Sequence, residues 1–323
     1  MKINLKIIKN RKLYLGISTV MVLISLISLF TIKLNLGVDF KGGELIQLKY
    51  SKKIDQNAVN STLNSLIGKI PQMKAKRVQF SDTDNTVIIR TEQMSGTQKA
   101  KVMSELKQNT GKFEVVKNET VGAVIGKELT ANAFQALLIG SILIVIYITV
   151  RFEFIYAIAG IVALIHDVII AFGVITILRY EIDTPFIAAI LTILGYSIND
   201  TIVVFDRIRE NIKKNRSGRN KVSMSFGEII EKSINQVFTR SIYTSLTTLF
   251  SVIVLLILGG DTLKTFSMTL FVGMLVGTYS SVFVASPLVY IMKKGKDEPK
   301  AKDTTKHSGK TVNGYDEKDK VLV

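Results

Sequence analysis

The sequence has no cysteine and only two histidines, His166 and His307. The lack of cysteine excludes disulfide bonds and thiolate metal sites. The two histidines lie too far apart in the layout predicted below to share a metal ion. We therefore expect no metal site and no cofactor.

Acidic residues are also scarce, at 26 Asp and Glu against 42 Lys and Arg, so the formal net charge is +16. The basic residues cluster beside apolar segments, where they set topology and contact anionic lipid head groups. This placement favours a membrane surface over nucleic acid. The 323 residues are 47% hydrophobic with a mean hydropathy of +0.32, and together these values are too apolar for an ordinary soluble protein.

Six uncharged or nearly uncharged runs are long enough to cross a bilayer core. They cover residues 13–32, 134–150, 154–178, 185–205, 237–258 and 266–292. The sequence therefore predicts a polytopic α-helical membrane protein with six transmembrane helices. No small-residue cleavage site follows the first run, so it is interpreted as an anchor.

The distribution of Lys and Arg predicts the orientation. Dense basic clusters occupy the amino-terminal segment, residues 206–236 and the segment after 293, so the positive-inside rule puts both termini in the cytoplasm. The predicted parts are an amino-terminal segment with the first helix (1–33), an extracytoplasmic domain with its connector (34–133), a five-helix membrane domain (134–292) and a disordered tail (293–323). The expected location is the cytoplasmic membrane.

Short alternating patterns replace apolar runs in the outer segment. They predict strands at 44–50, 76–80, 87–91 and 112–117 and helices at 55–69 and 97–109. The order βαββαβ predicts a ferredoxin-like α+β domain between helices 1 and 2. No catalytic constellation occurs there, so we expect binding or movement rather than enzyme chemistry.

In the basic segment 206–236, Ser225 and Glu228 match a capping box. Apolar residues then recur at helical spacing, at Phe226, Ile229, Ile230 and Ile234. We expect a cytoplasmic amphipathic helix lying on the inner membrane surface.

A carboxylate inside the fourth run, Asp200, is the leading functional candidate, because a charge within a membrane span costs about 2.5 to 3.5 kcal/mol on insertion scales. It belongs to a polar stripe at helical spacing formed by Thr192, Gly195, Tyr196, Asn199 and Asp200. Such a stripe must face protein or water.

Arg240 enters the fifth run at a depth similar to that of Asp200. It heads a second stripe, formed by Arg240, Thr244, Thr247, Thr248 and Ser251. A facing Asp200 and Arg240 could form a switchable pair, although a static ion pair or an Arg240 that reaches interfacial water also fits the pattern.

The third run contains His166 and Asp167, which suit a proton relay. Neighbours on a helix point in different directions, so we expect Asp167 to face the interior and His166 to point elsewhere. Three glycines are expected in helix packing: Gly195, and the GxxxG pair Gly273 and Gly277.

Several motifs together resemble one family. They are GVDFKGG at 37–43, TVGAVIGKEL at 120–129, ALIHDVI at 163–169, ILGYSINDTIVVFDRIREN at 193–211 and FTRSIYTSL at 238–246. These segments are similar to the SecF family, the smaller partners of SecD in the bacterial Sec protein-export apparatus, within the resistance-nodulation-division superfamily.

The resemblance implies an accessory subunit that uses a proton gradient, or a sodium gradient in some members, to help move secreted chains outward. It implies ion coupling at Asp200 and Arg240. The polar positions of the third, fourth and fifth runs add Asp167, Asn199, Thr244 and Thr248 as candidates for the proton path. The first motif, with Gly37, Asp39, Phe40, Gly42 and Gly43, marks the extracytoplasmic side. The implied partners are SecD, the SecYEG channel, YajC and the translocating polypeptide.

Two other functions remain open: a half-sized exporter of small molecules or lipids, and a scaffold without ion flux. An intramembrane aspartyl protease is disfavoured because Asp167 and Asp200 are expected at different depths. In the coupling hypothesis, neutralising Asp200 separates it from Arg240, and the movement reaches the outer domain through the first helix and residues 120–133.

Overall fold

The computed structural model describes residues 5–81, 85–217 and 224–293. In chain order the elements are α1 (Arg11–Thr31), α2 (Val38–Lys41), β1 (Gly43–Tyr50), α3 (Gln56–Ser65), β2 (Arg77–Ser81), β3 (Thr86–Thr91), α4 (Gly96–Thr110), β4 (Phe113–Val121), α5 (Ala123–Arg151), α6 (Phe154–Ile177), α7 (Thr184–Arg216), α8 (Phe226–Leu258), α9 (Gly260–Ser280) and α10 (Ser286–Lys293).

Six helical segments in these ranges are long and apolar enough to cross a membrane: α1, α5, α6, α7, α8, and α9 continued by α10. The prediction of six apolar spans is therefore confirmed. The predicted disordered tail, from residue 294 onward, lies outside the described residues.

Two bounds in the membrane part differ from expectation. Helix α5 begins at Ala123, so the predicted connector before the second span is mostly helical. The basic segment 206–236 contains parts of two long helices, because α7 continues to Arg216 and α8 begins at Phe226.

The predicted surface helix is instead the first part of α8. The capping box is present, with the Ser225 N–H donating to Glu228 Oε2 at 2.8 Å and the Glu228 N–H donating to Ser225 Oγ at 3.4 Å. From this cap the helix runs without a break into the apolar span. Phe226, Ile230 and Ile234 are buried in a core cluster that includes residues of α6, α7 and α10, so this segment packs against protein. The predicted capped helix is therefore present and leads into the fifth span, and its apolar face packs against protein.

A four-stranded antiparallel sheet follows α2. Its order is β2-β3-β1-β4, so β1 lies between β3 and β4. The strands and the two helices α3 and α4 follow one another in the predicted order. One sheet face, represented by Ile46, Leu48 and Ile89, packs against apolar side chains of α3 and α4. The other face carries Leu45, Ile88 and Arg90 and looks toward the hairpin between α6 and α7.

The last span is interrupted by a π-helical segment at Ser281–Ala285. Pro287, two residues further on, has no N–H to donate to the carbonyl of Phe283, and its ring crowds that carbonyl. The wider π turn accommodates this break without ending the helix. It also determines how Ser280 and Ser281 face α7.

The double glycine that starts β1 has a steric reason. Gly43 has φ +130°, and a Cβ there would lie 2.5 Å from the carbonyl oxygen of Thr91 on β3. Both the backbone conformation and the close approach of β3 therefore require glycine.

We predict that Gly43→Ala destabilises the sheet by more than about 2 kcal/mol, because the added methyl group must push β1 and β3 apart. Thermal unfolding or protease resistance of the purified protein measures the effect. Gly96→Ala is the matched control, since open space surrounds Gly96. Equal stability of the two variants would contradict the steric argument.

Candidate functional site

Asp167 on α6 is the most deeply buried carboxylate of the membrane helices in the described ranges, with 0% of its surface exposed. Three side chains hydrogen-bond to it. Ser197 Oγ of α7 donates to Oδ2 at 2.5 Å, Ser280 Oγ of α9 donates to Oδ2 at 2.8 Å, and His166 Nδ1 lies 2.9 Å from Oδ1. The carboxylate therefore joins three helices at one point.

The expectation that His166 points away from Asp167 is wrong. The imidazole turns back along the helix so that Nδ1 reaches the neighbouring carboxylate, and only 6% of His166 is exposed. The ring stacks on Tyr279, with centroids 6.5 Å apart. Its other nitrogen, Nε2, is buried and has no hydrogen-bond partner in the described part of the chain. His166 and Asp167 thus form one hydrogen-bonded pair.

Hydroxyl groups extend this cluster along α7 toward Asp200. Thr201 Oγ1 and Ser281 Oγ are 2.8 Å apart, and Ser281 Oγ also donates to the Gly277 carbonyl at 2.9 Å. Ser197, Thr201, Ser280 and Ser281 are all buried. Sequence reasoning missed their role, because the π segment that begins at Ser281 has no simple sequence signature.

The GxxxG glycines lie where α9 meets α7. A Cβ on Gly273 would overlap the side chain of Ile193, and one on Gly277 would lie 2.9 Å from Ser197 Cβ. Gly195 behaves differently: no heavy atom of the described chain lies within 4 Å of a Cβ built there. The expectation that Gly195 packs a helix is therefore not met within this chain, because it faces outward from the helices.

Asp200 is held by a serine, not by Arg240. Ser241 Oγ of α8 donates to Asp200 Oδ1 at 2.6 Å, while Oδ2 is buried without a partner in the described residues. Arg240 is exposed, and its charge acts on Asp200 from a distance. No ion pair joins the two residues within the described ranges, so the pair expected from the sequence is open in this structure.

The two predicted polar stripes lie mostly on the outside of the helix bundle, whereas Tyr196 and Asp200 are half-buried. On α7, Thr192, Gly195 and Asn199 are exposed, and on the adjoining α8 the outward residues are Arg240, Thr244, Thr247 and Ser251, with Thr248 half-buried. The buried face of α8 carries Ser241, Ser245 and Leu249 instead. We call the exposed residues of both stripes the polar face. Lipid does not satisfy such groups, so the polar face requires cover from protein or water.

The glycine-containing motif at 37–43 joins the sheet to the hairpin between α6 and α7. The Gly37 N–H donates to the Ile182 carbonyl at 2.9 Å, and the Ile182 N–H donates to the Asn35 carbonyl at 2.8 Å. Asp39 Oδ2 accepts the Thr184 N–H at 2.9 Å, and Phe40 packs in the apolar cluster beneath. Gly42 approaches α5 so closely that a Cβ on Gly126 would lie 2.9 Å from its nitrogen. We call this set of contacts the outer joint.

Charged groups in the outer joint perturb one another. Burial raises the pKa of Asp183 to about 6, with the charges of Asp39 and Glu181 adding to the effect. Burial likewise raises the pKa of Glu181, although its ion pair with Arg90 of β3 opposes the shift. Asp183 also caps α7 by accepting the Phe186 N–H at 2.9 Å.

The fold defines a class: a multi-pass helical membrane protein that carries one sheet-bearing domain between its first and second membrane helices. Two family models match the sequence. One, described as protein export membrane protein SecD/SecF, C-terminal, matches residues 101–295, and the other, described as the SecD/SecF GG motif, matches residues 27–54.

Curated relatives of similar sequence belong to the same family. The protein translocase subunit SecF of Sebaldella termitidis is 51% identical over 92% of this chain and 94% of its own length. That of Calditerrivibrio nitroreducens is 42% identical over 90% of this chain and 94% of its own length. The chain belongs to the SecD/SecF family of protein-export membrane proteins, and within it to the SecF type.

A crystal structure of SecDF from Thermus thermophilus, described as a translocon-associated membrane protein, is similar in fold. Its TM-score is 0.81 at 34% identity, over 90% of this chain and 39% of that one. SecDF of Bacillus subtilis is 38% identical over 89% of this chain and 38% of its own length. The chain thus spans about two fifths of these SecDF proteins.

We predict that Ser197→Ala destabilises the protein by about 1 to 3 kcal/mol, because a buried carboxylate loses one of its donors. Thermal unfolding in detergent measures the change. Ser251→Ala, on the exposed side of α8, removes the same hydroxyl without a buried partner and should stay within about 0.5 kcal/mol of the wild type. An equal loss of stability in the two variants would show that the hydrogen bond of Ser197 to Asp167 does not stabilise the protein.

A second prediction concerns pH and Asp183. Between the ordinary carboxyl pKa and about 6, the folded protein binds a proton at Asp183 that the unfolded chain does not, so stability rises as pH falls through 6. Asp183→Asn keeps the cap and removes this titration. Between pH 7.5 and pH 5 the wild type should therefore gain about 1 to 2 kcal/mol relative to the variant. Thermal unfolding at both pH values tests this, with Asp55→Asn, at the cap of α3, as control.

Proposed function

We propose that the chain is an accessory subunit of the Sec protein translocase that couples an ion gradient across the cytoplasmic membrane to the export of polypeptides. The observation that carries the proposal is Asp200, a carboxylate inside an apolar helix with one oxygen unpaired, beside a polar face that this chain leaves uncovered. Membership of the SecD/SecF family supplies the export context.

The proposed switch has two positions for Asp200. In the position described here, Ser241 donates to its carboxylate and Arg240 stays apart. In the other position, the ionised carboxylate pairs with Arg240. Arrival of a proton removes the charge that attracts Arg240 and returns Asp200 to its serine partner; sodium is the alternative coupling ion. Asn199 and Thr244 of the polar face and the half-buried Thr248 line the route, and Asp167, paired with His166, supplies a second buried acid.

The exposed polar face supports the proposal that a partner subunit packs against this chain. Curated and solved SecDF chains are more than twice as long as this chain, which matches two fifths of them. We propose that a SecD-type half covers the polar face and closes the path between Asp200 and Arg240. The SecYEG channel, YajC and the translocating polypeptide complete the proposed assembly.

The proposed orientation puts both termini in the cytoplasm and the sheet domain outside. Basic residues concentrate in the amino-terminal segment, at 206–236 and after 293, which supports this orientation by the positive-inside rule. The strand order β2-β3-β1-β4 supports a ferredoxin-like domain, which holds or releases the emerging chain.

An ion that crosses the membrane supplies enough free energy to operate the proposed switch. A proton that crosses about 100 mV provides roughly 2.3 kcal/mol, enough to bias a two-state element and too little to unfold a domain.

We predict that Asp200→Asn inserts normally and abolishes the dependence of export on the ion gradient, because the side chain no longer changes charge. Export into inverted membrane vesicles, measured with the gradient present and collapsed, tests this. Asp206→Asn is the matched control, since Asp206 lies on the same helix, exposed and paired with Arg151. Gradient-dependent export in Asp200→Asn vesicles, with loss only on deletion of the chain, would support a scaffold instead.

A further inference from the structure

The outer joint attaches the sheet domain directly to the helix that carries Asp200. Thr184 is the first residue of α7, and its N–H donates to the Asp39 carboxylate of α2. The N-terminus of a helix favours a negative group, because its first N–H groups have no partner within the helix. Asp183 binds the Phe186 N–H, so the two carboxylates bind different donors of the same helix end.

This attachment is narrow. Open clefts of about 370 and 290 Å³ lie beside it, between the sheet and the hairpin, and the ion pair of Arg90 and Glu181 borders both. The sheet domain therefore does not rest broadly on the membrane helices at this side. Displacement of α7 reaches the domain through a few defined contacts.

Short or continuous secondary structure connects the outer joint to Asp200 along α7 and to the sheet through α2. Asp200 lies sixteen residues after Thr184 on one unbroken helix, about 24 Å along its axis. On the other side, α2 spans only Val38–Lys41, and β1, which lies between β3 and β4, begins at Gly43. Asp39 is thus four residues before the first residue of an internal strand of the sheet.

We propose that Asp39 is the positioning residue that transmits movement of α7 to the outer domain. The inference rests on the proposed coupling function and adds a direct route from α7 to the route through the first helix and residues 120–133. The Asp39 carboxylate acts by holding the Thr184 N–H, so the acceptor and the donor are equally necessary.

The experiment removes each partner of this hydrogen bond separately. Asp39→Ala removes the acceptor. Thr184→Pro removes the donor at the first helical position, where proline is tolerated and where Asp183 before it is already extended. Because residue 185 is also proline, circular dichroism of the variant must show that the helix content is unchanged. The chain has no cysteine, so labels can be attached at Lys101→Cys on α4 and Leu178→Cys on the hairpin. The full chain is studied with its SecD-type partner in vesicles, and the distance between the labels is measured with and without the ion gradient.

We expect each variant to lose the gradient-dependent change in label distance and to reduce gradient-stimulated export about tenfold, the effect of one lost charge-assisted hydrogen bond. The double variant should be no worse than either single variant. Asp55→Ala, which removes a carboxylate that accepts two backbone N–H groups at the start of α3, is the control and should retain both responses.

Retention of the label response in either single variant would overturn the inference, and so would additive losses in the double variant. Asp200→Asn separates this failure from that of the proposed function. If Asp200→Asn loses both responses while Asp39→Ala keeps them, only the transmission route is wrong. If Asp200→Asn keeps both, the coupling function itself is wrong.

Discussion

The hydrogen bonds of one carboxylate connect the central membrane helices. Asp167 receives donors from α7 and α9 and contacts its neighbour His166, so α6, α7 and α9 meet at a point with no exposed surface. Burying a charge or a polar group without partners is costly, and this cluster satisfies the carboxylate from three directions. The close approach of α9 to α7 at Gly273 and Gly277 brings the serines within reach.

Polar groups on the outside of the bundle also need partners, but there this chain leaves most of them exposed. Asp200 has one partner, Ser241, and the polar face beside it is exposed in this chain. A polar surface at membrane depth is stable only when protein or water covers it. Asp167 therefore belongs to the interior of this chain, whereas Asp200 belongs to a boundary, and a boundary residue can change partners without disrupting the core.

The sequence predicted the parts that depend on local pattern. The apolar runs, the strand and helix order, and the capping box at Ser225 follow from hydropathy, periodicity and short-range hydrogen bonding. The orientation of Asp200 and Arg240 could not be predicted, because a stripe on a helix does not tell which neighbour covers it. The contact of His166 with Asp167 depends on a side-chain rotamer, and the position of Ser281 depends on the π segment before Pro287.

The proposed switch at Asp200 can act on the sheet domain only if the helices between them move as a rigid unit. The Asp167 cluster ties α7 to α6 and α9, so displacement at Asp200 moves these helices together instead of bending one of them. The hairpin between α6 and α7 belongs to that unit, and it carries Ile182 and Thr184 into the outer joint. Packed interfaces move between discrete arrangements. The buried carboxylate thus has a mechanical consequence: it makes the helices that hold Asp200 and those that hold the outer joint one body.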